Sequence, residues 1–267
     1  MNIELSLFWV SVTLYAIASI QFIRALVFRL ENPMRAGRHI ALIGLVVHSL
    51  FIAVRWLRIG HFPFISLFEL VSLGSWFCMA MFLIIAKRWK GYSLLGAVVV
   101  PFSFLMMGFA SQTYLGTVPI SPALKSYWLY IHIFFALLSY GCYVTAAGCG
   151  ILFLLKEGHP NVPDANLLDI RGYRFILFGF TNHAIMVASG AIWANQAWGR
   201  YWGWDPIETW SLITWFVYAF YLHARLVRGW KGKGCAWLSI ISVLLLLLCF
   251  WGIPLFSKTI HSFGEIF

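Results

Sequence analysis

The chain has 267 residues, of which 61% are hydrophobic and only 10% charged. A soluble domain carries about 25% charged residues, so this composition excludes an ordinary soluble protein. The net charge of +10 raises nucleic-acid binding as a role, and the placement of the charges argues against it.

A membrane-spanning helix needs about 20 mostly apolar residues. Eight such runs occur in chain order, at about 5–28, 39–57, 67–86, 92–110, 128–155, 176–197, 208–228 and 236–256. The first run is not followed by a small-residue cleavage site, so it reads as a retained span. The connections are too short for an aqueous domain. The expected fold is all-α: a polytopic integral membrane protein of about eight transmembrane helices, forming a single membrane domain over residues 1–267.

Thirteen Lys and Arg residues fall in the connections after runs 1, 3, 5 and 7, among them Arg29, Arg35, Lys87, Arg88, Arg171, Arg225 and Lys231. Only five fall on the other side: Arg55, Arg58, Lys125, Arg200 and Lys258. The positive-inside rule makes the basic side cytoplasmic and puts both termini outside. The excess charge is thus a topology signal, and no nucleic-acid partner is expected.

The five cysteines are Cys78, Cys142, Cys149, Cys235 and Cys249. None lies in an outer loop and no C-x-x-C occurs, which argues against a disulfide scaffold and thioredoxin-like chemistry. The stretches about 111–127 and 156–175 hold Gly and Pro and read as irregular loops. The acids Glu4, Glu31, Glu157, Asp164, Asp169 and Glu265 read as loop charges. Glu69 opens the third run, placed to cap a helix or to pair with Arg55 or Arg58.

The segment Trp198 to Trp210 is the most unusual part of the chain, with four tryptophans in thirteen residues: Trp198, Trp202, Trp204 and Trp210. Its second half reads as a helix start. Asp205 is a favoured N-cap, Pro206 suits the first helical position, and Glu208 completes a capping box. Interfacial belts usually place one or two aromatics at each helix end. This density favours a platform for a flat apolar ligand. Arg200 suits a ligand carboxylate and equally suits lipid headgroups.

Eight histidines occur. His132 follows Trp128 by four residues, so both share a helix face at the outer end of the fifth run. His261 lies in the outer tail. Two outer histidines beside a tryptophan wall are what axial ligation of a porphyrin iron requires, and histidines at a membrane interface are also simply tolerated. His223 lies about 27 Å deeper than Asp205 at 1.5 Å per residue, so it belongs to a different site. His48 and His183 lie within spans, where hydrogen bonding to a neighbouring helix competes with a functional role. His39 and His159 read as solvated loop residues.

The run from Gly190 to Trp210 resembles the tryptophan-rich "WWD" signature of heme-handling proteins. It is most similar to the CcsA/ResC type of cytochrome c biogenesis protein of the system II pathway. Tyr221 to Arg225, Gly60-His61-Phe62-Pro63 with Phe68-Glu69, and Ile260-His261-Ser262 look like that type as well. The resemblance implies that His132 and His261 are axial ligands of an external heme b on a platform of Trp198, Arg200, Trp202, Trp204, Asp205, Glu208 and Trp210. It implies that His223 belongs to a deeper transmembrane heme site, and that His61, Glu69 and Trp128 give support. Implied partners are a CcsB/ResB-like membrane protein, apocytochrome c and a thioredoxin-like thiol reductant. The implied activity is that of a holocytochrome c synthase subunit, in a bacterial inner membrane or a thylakoid membrane, with the tryptophan segment on the periplasmic or lumenal side. A heme carrier or exporter without ligation activity is the competing expectation. His183 has no counterpart in the family pattern and is expected to be structural.

Overall fold

Apolar runs this long leave the backbone no water to bond with in a bilayer, so it must satisfy itself as helix. The structure, a computed structural model, describes residues 3–117, 121–156, 159 and 161–249. Among these lie eight α-helices: α1 (Ile3–Phe28), α2 (Glu31–Ile59), α3 (Leu67–Arg88), α4 (Gly96–Gln112), α5 (Tyr127–Leu155), α6 (Ala165–Trp198), α7 (Pro206–Leu226) and α8 (Lys233–Leu247). Six of them, α1 to α6, are long and apolar enough to cross a membrane, α4 counted with the 3-10 turn Tyr92–Leu95 before it. The chain is all-helical, as expected.

Two boundaries differ from the sequence expectation. Helix α2 begins at Glu31 and takes in His39, which is exposed on the helix and not in a loop. Helix α6 begins at Ala165, so the supposed irregular loop 156–175 ends eleven residues earlier than expected. Polar residues there, such as Asn166, Arg171 and Arg174, broke the apolar run without breaking the helix. Helix α8 is described only to Leu247.

The chain divides into two compact units, residues 1–117 with 155–164, and residues 118–154 with 165–267. In the first unit the interior is set by α3, whose residues Phe68 to Ser75 are all buried. Its start is fixed locally: the Ser66 side chain accepts from the Glu69 amide, and Glu69 reaches back to Ser66, a closed capping box.

The polar interior of this unit is an ion cluster. Arg55 donates from Nη1 to Glu4 at 2.6 Å and from Nε to Glu69 at 2.8 Å, and caps the Gly116 carbonyl at 2.7 Å. Arg58 reaches the other Glu4 oxygen at 2.7 Å. Glu4 is therefore a buried helix residue and not the loop charge expected of it. Glu69 fulfils both roles open to it, cap and partner of Arg55. Burying a carboxylate is tolerated only when it is paired and hydrogen-bonded, and here each oxygen has a donor.

His48 is buried between Tyr15 Oη at 3.1 Å and Ser72 Oγ at 2.9 Å. Both ring nitrogens bond to neighbouring helices, so His48 is a structural bridge. His159 is buried, not solvated, because its Nε2–H donates to the Leu26 carbonyl at 2.8 Å.

The second unit is built around α5, in which every residue from Gly141 to Gly150 is buried. Small residues in that stretch let helices approach closely. A Cβ on Gly150 would lie 3.0 Å from the Ala236 carbonyl oxygen of α8. Asp169 of α6, expected as a loop charge, accepts two bonds from Arg225 of α7 at 2.8 and 2.6 Å. It also accepts from the Gly232 amide at 3.0 Å, so one carboxylate ties α6 to α7 and to the turn before α8.

Candidate functional site

The tryptophan segment begins as the last turns of α6. Gly199 ends that helix with a left-handed φ of 72°, and its amide closes on the Asn195 carbonyl at 2.9 Å. A glycine there carries no Cβ penalty, the usual reason for finding one just past a helix end. Six residues of irregular chain follow, Arg200 to Asp205. Trp204 within it holds a φ of 56°, an uncommon backbone for a bulky residue that costs about 1–3 kcal/mol. Such strain persists only where the surroundings hold it.

What holds it is the start of α7. Asp205 Oδ1 accepts from the Ile207 amide at 3.0 Å. Glu208 Oε2 accepts from the amides of Gly203 at 2.8 Å and Asp205 at 3.2 Å. The capping box is complete, with Pro206 at the first helical position. Asp205 and Glu208 thus act on the backbone, pinning the loop against the helix.

The aromatics divide into two sets. Trp204 is 70% and Tyr201 60% exposed, and Trp202 packs edge-on against Trp204 at 5.8 Å between centroids. The buried Trp202 Nε1 has no hydrogen-bond partner among the described residues. The exposed Arg200 side chain folds over Gly203, where a Cβ would lie 2.7 Å from the guanidinium carbon. Trp210 is half-buried in the first turns of α7.

The second set leads to His132. Trp198 packs on Trp193 at 5.0 Å, and Trp193 lies 6.1 Å from the His132 ring at an interplanar angle of 31°. Trp193 is buried, and its indole N–H donates to the Ala123 carbonyl at 2.9 Å. It was not among the platform residues expected from sequence. Its position three residues after Gly190, one turn along the face that meets His132, is the signal that would have found it.

His132 is half-buried on α5. Its Nδ1 is 2.8 Å from the Met186 carbonyl oxygen of α6. A carbonyl only accepts, so Nδ1 carries the proton, and in the neutral ring Nε2 carries the lone pair. Metal-binding histidines commonly have this arrangement, in which a backbone carbonyl fixes tautomer and ring orientation. Trp128, one turn before His132, is half-buried, and its amide bonds to Ser126 Oγ at 3.2 Å.

The other histidines fall elsewhere. His261 lies outside the described residues. His61 belongs to the first unit, where its Nδ1–H donates to the Phe62 carbonyl at 3.0 Å. Glu69, through the Ile65 and Ser66 amides at 2.8 and 3.1 Å, pins the loop that carries His61. His223 is exposed in the last turn of α7. His183 is buried, bonded to Tyr143 Oη at 3.4 Å and Ser211 Oγ at 3.2 Å, a structural role.

Fold and site define an integral membrane protein of the all-helical class, with a carbonyl-oriented histidine beside an indole-rich connection between two helices. Comparison with known proteins carries this further. Residues 64–261 match the family model described as cytochrome C assembly protein. A cytochrome c biogenesis protein CcsA of Chlamydomonas reinhardtii is 38% identical over 227 residues, 80% of this chain. That match spans 64% of the algal protein's length. The CcsA of Guillardia theta is 32% identical over 93% of this chain and 92% of its own, and that of Prochlorococcus marinus strain NATL1A 34% identical over 80% of each. Among solved structures, cytochrome c heme lyase CcmF superposes with a TM-score of 0.71 at 14% identity, covering 97% of this chain and 49% of that one. The likeness to CcmF is one of fold. The chain belongs to the cytochrome C assembly protein family and is a CcsA-type cytochrome c biogenesis protein. Its role lies in cytochrome c maturation.

Proposed function

We propose that this chain binds heme b as cargo at the tryptophan segment and presents it for covalent attachment to apocytochrome c. The observation that carries the proposal is the His132 ring, held by the Met186 carbonyl with its lone pair on Nε2. Beside it stands Trp193, with Trp198 packed on Trp193, followed in the chain by a loop with exposed indole and phenol surface. The donors suit the ligand. Neutral imidazole ligates heme iron, indole faces accept a macrocycle, the Arg200 guanidinium suits a propionate, and the Trp202 N–H is a donor without a partner among the described residues.

In this reading His132 and His261 supply the two axial nitrogens. The thiols of apocytochrome c add across the heme vinyl groups: for each, the S–H bond and the vinyl π bond break, a C–S bond and a C–H bond form, and no net electron transfer occurs. The contribution of the chain is to position the macrocycle and protect its iron. His223, exposed at the far end of α7, is proposed to belong to a second, deeper heme site completed by a CcsB/ResB-like membrane protein. A thioredoxin-like reductant keeps the apocytochrome thiols reduced. The tryptophan segment faces the periplasm or lumen, as the distribution of Lys and Arg supports. A carrier that moves heme without ligation shares all of these features except covalent product.

Co-expression with a CcsB/ResB-like partner and an apocytochrome tests the reading. His132→Ala and His261→Ala are expected to weaken the external heme and to respond to added imidazole. His223→Ala is expected to reduce the total heme carried. Unchanged heme spectra and full cytochrome maturation in the first two variants would sink axial ligation. Bound heme without covalent cytochrome would favour the carrier.

A further inference from the structure

We infer that Gly190 is a positioning residue for His132: its missing side chain forms a notch in α6 that receives the imidazole edge and fixes the ring for ligation. The inference rests on the heme reading for its purpose, and on geometry alone for the notch.

A Cβ built on Gly190 would lie 2.6 Å from His132 Nδ1 and 2.9 Å from Cε1. Non-bonded carbon atoms sit at about 3.5–4.0 Å, so no side chain fits there while the ring stays. For the ring to swing aside, the 2.8 Å bond from Nδ1 to the Met186 carbonyl must break. Met186 is four residues before Gly190, one helical turn away, so its carbonyl is also the one that accepts the Gly190 amide in regular α-helix. The imidazole therefore lies directly on the α6 backbone over that turn. Trp193, three residues past Gly190, closes the next turn at 6.1 Å from the ring. Met186, Gly190 and Trp193 are spaced by four and three and so share one face of α6. They act as floor, notch and wall for a side chain that belongs to α5.

The consequence is chemical. The two nitrogen axes of an imidazole diverge, so with Nδ1 held by Met186, Nε2 and its lone pair face away from that carbonyl. A side chain at position 190 displaces the ring, breaks the bond that sets the tautomer, and turns Nε2 off the iron axis. Backing groups of this kind typically change metal affinity by about 10–100-fold.

The test uses the full-length purified chain in detergent, with ferric hemin as probe, and compares Gly190→Ala with Gly172→Ala. Gly172 lies on the same helix, where a Cβ would find Cys149 at an ordinary 3.5 Å. Gly190→Ala is expected to weaken hemin by at least about tenfold and convert a low-spin spectrum to high-spin, with imidazole restoring the low-spin form. Gly172→Ala is expected to match the parent chain. In ligand-free protein carrying nitrogen-15 histidine, the His132 signature of protonated Nδ1 and unprotonated Nε2 is expected to be lost in Gly190→Ala alone. Where Gly190→Ala accumulates poorly, the double variant with His132→Ala is expected to recover, since removing the ring empties the notch. Identical nitrogen spectra and hemin affinities for both glycine variants overturn the inference, as does failure of the double variant to recover. Altered nitrogen spectra in Gly190→Ala, with hemin affinity unmoved there and in His132→Ala, confirm the notch and overturn the heme reading instead.

Discussion

Arg55 sends its guanidinium nitrogens to Glu4, Glu69 and the Gly116 carbonyl, and lies over the Phe68 ring at 5.1 Å. A cation this deep is held by its partners, and removing it leaves carboxylates without their donor. Arg55→Met is expected to destabilise the protein by about 3–5 kcal/mol, read as thermal unfolding in detergent. Arg58→Met is expected to do much less, because that side chain is 38% exposed and leaves Glu4 still paired with Arg55. Equal effects of the two would show that the cluster does not depend on burial. Trp202 presents the opposite case, a buried N–H with no acceptor among the described residues. Trp202→Phe keeps the aromatic packing and removes only that donor. Fold stability is therefore expected to hold or rise slightly, while hemin affinity falls severalfold if the N–H serves the ligand. Unchanged affinity would confine Trp202 to packing.

At the scale of elements, the start of α7 determines the shape of the site. Asp205 and Glu208 take up the amides of Gly203, Asp205 and Ile207, which fixes the loop presenting Trp202 and Trp204. Asp205→Ala is expected to cost about 0.5–2 kcal/mol and to speed hydrogen exchange at Ile207 and its neighbours. Asp205→Ser retains a capping oxygen and is expected to restore both exchange protection and hemin affinity. A serine variant with normal exchange and lost affinity would make Asp205 a ligand contact in its own right. Helix α6 carries the other side of the site. Its 34 residues span about 51 Å at 1.5 Å per residue, well beyond a hydrocarbon core of about 30 Å. The surplus includes Asp169, which anchors α7 through Arg225, and the tryptophan-rich end lies at the opposite terminus of the same helix.

For the whole molecule, the proposed outer placement of the tryptophan segment rests on charge distribution and is open to direct measurement. All five cysteines are buried, so an introduced one reports with little background. Tyr201, 60% exposed, is expected to label as Tyr201→Cys with a membrane-impermeant maleimide applied to intact cells. Lys231→Cys, in the α7–α8 turn, is expected to label only after the cells are opened. The reverse pattern would invert the topology and remove the proposed periplasmic or lumenal site.

The eight helices and the capping box of α7 were legible in the sequence because each depends on residues within a few positions of one another. Apolar run length and N-cap chemistry are local properties that no distant contact has to supply. The same reading put His132 and the tryptophan segment on one side by topology, and the structure joins His132 to Trp198 through Trp193. It misjudged Glu4, Asp169 and His159, whose roles come from partners far along the chain. Glu4 lies 51 residues from Arg55, Asp169 lies 56 from Arg225, and His159 lies 133 from Leu26. The Met186 carbonyl that sets the His132 tautomer is 54 residues away, and nothing in the composition around either residue announces it. A buried charge or imidazole takes its state from whichever groups surround it after folding, and only the tertiary structure decides which groups those are.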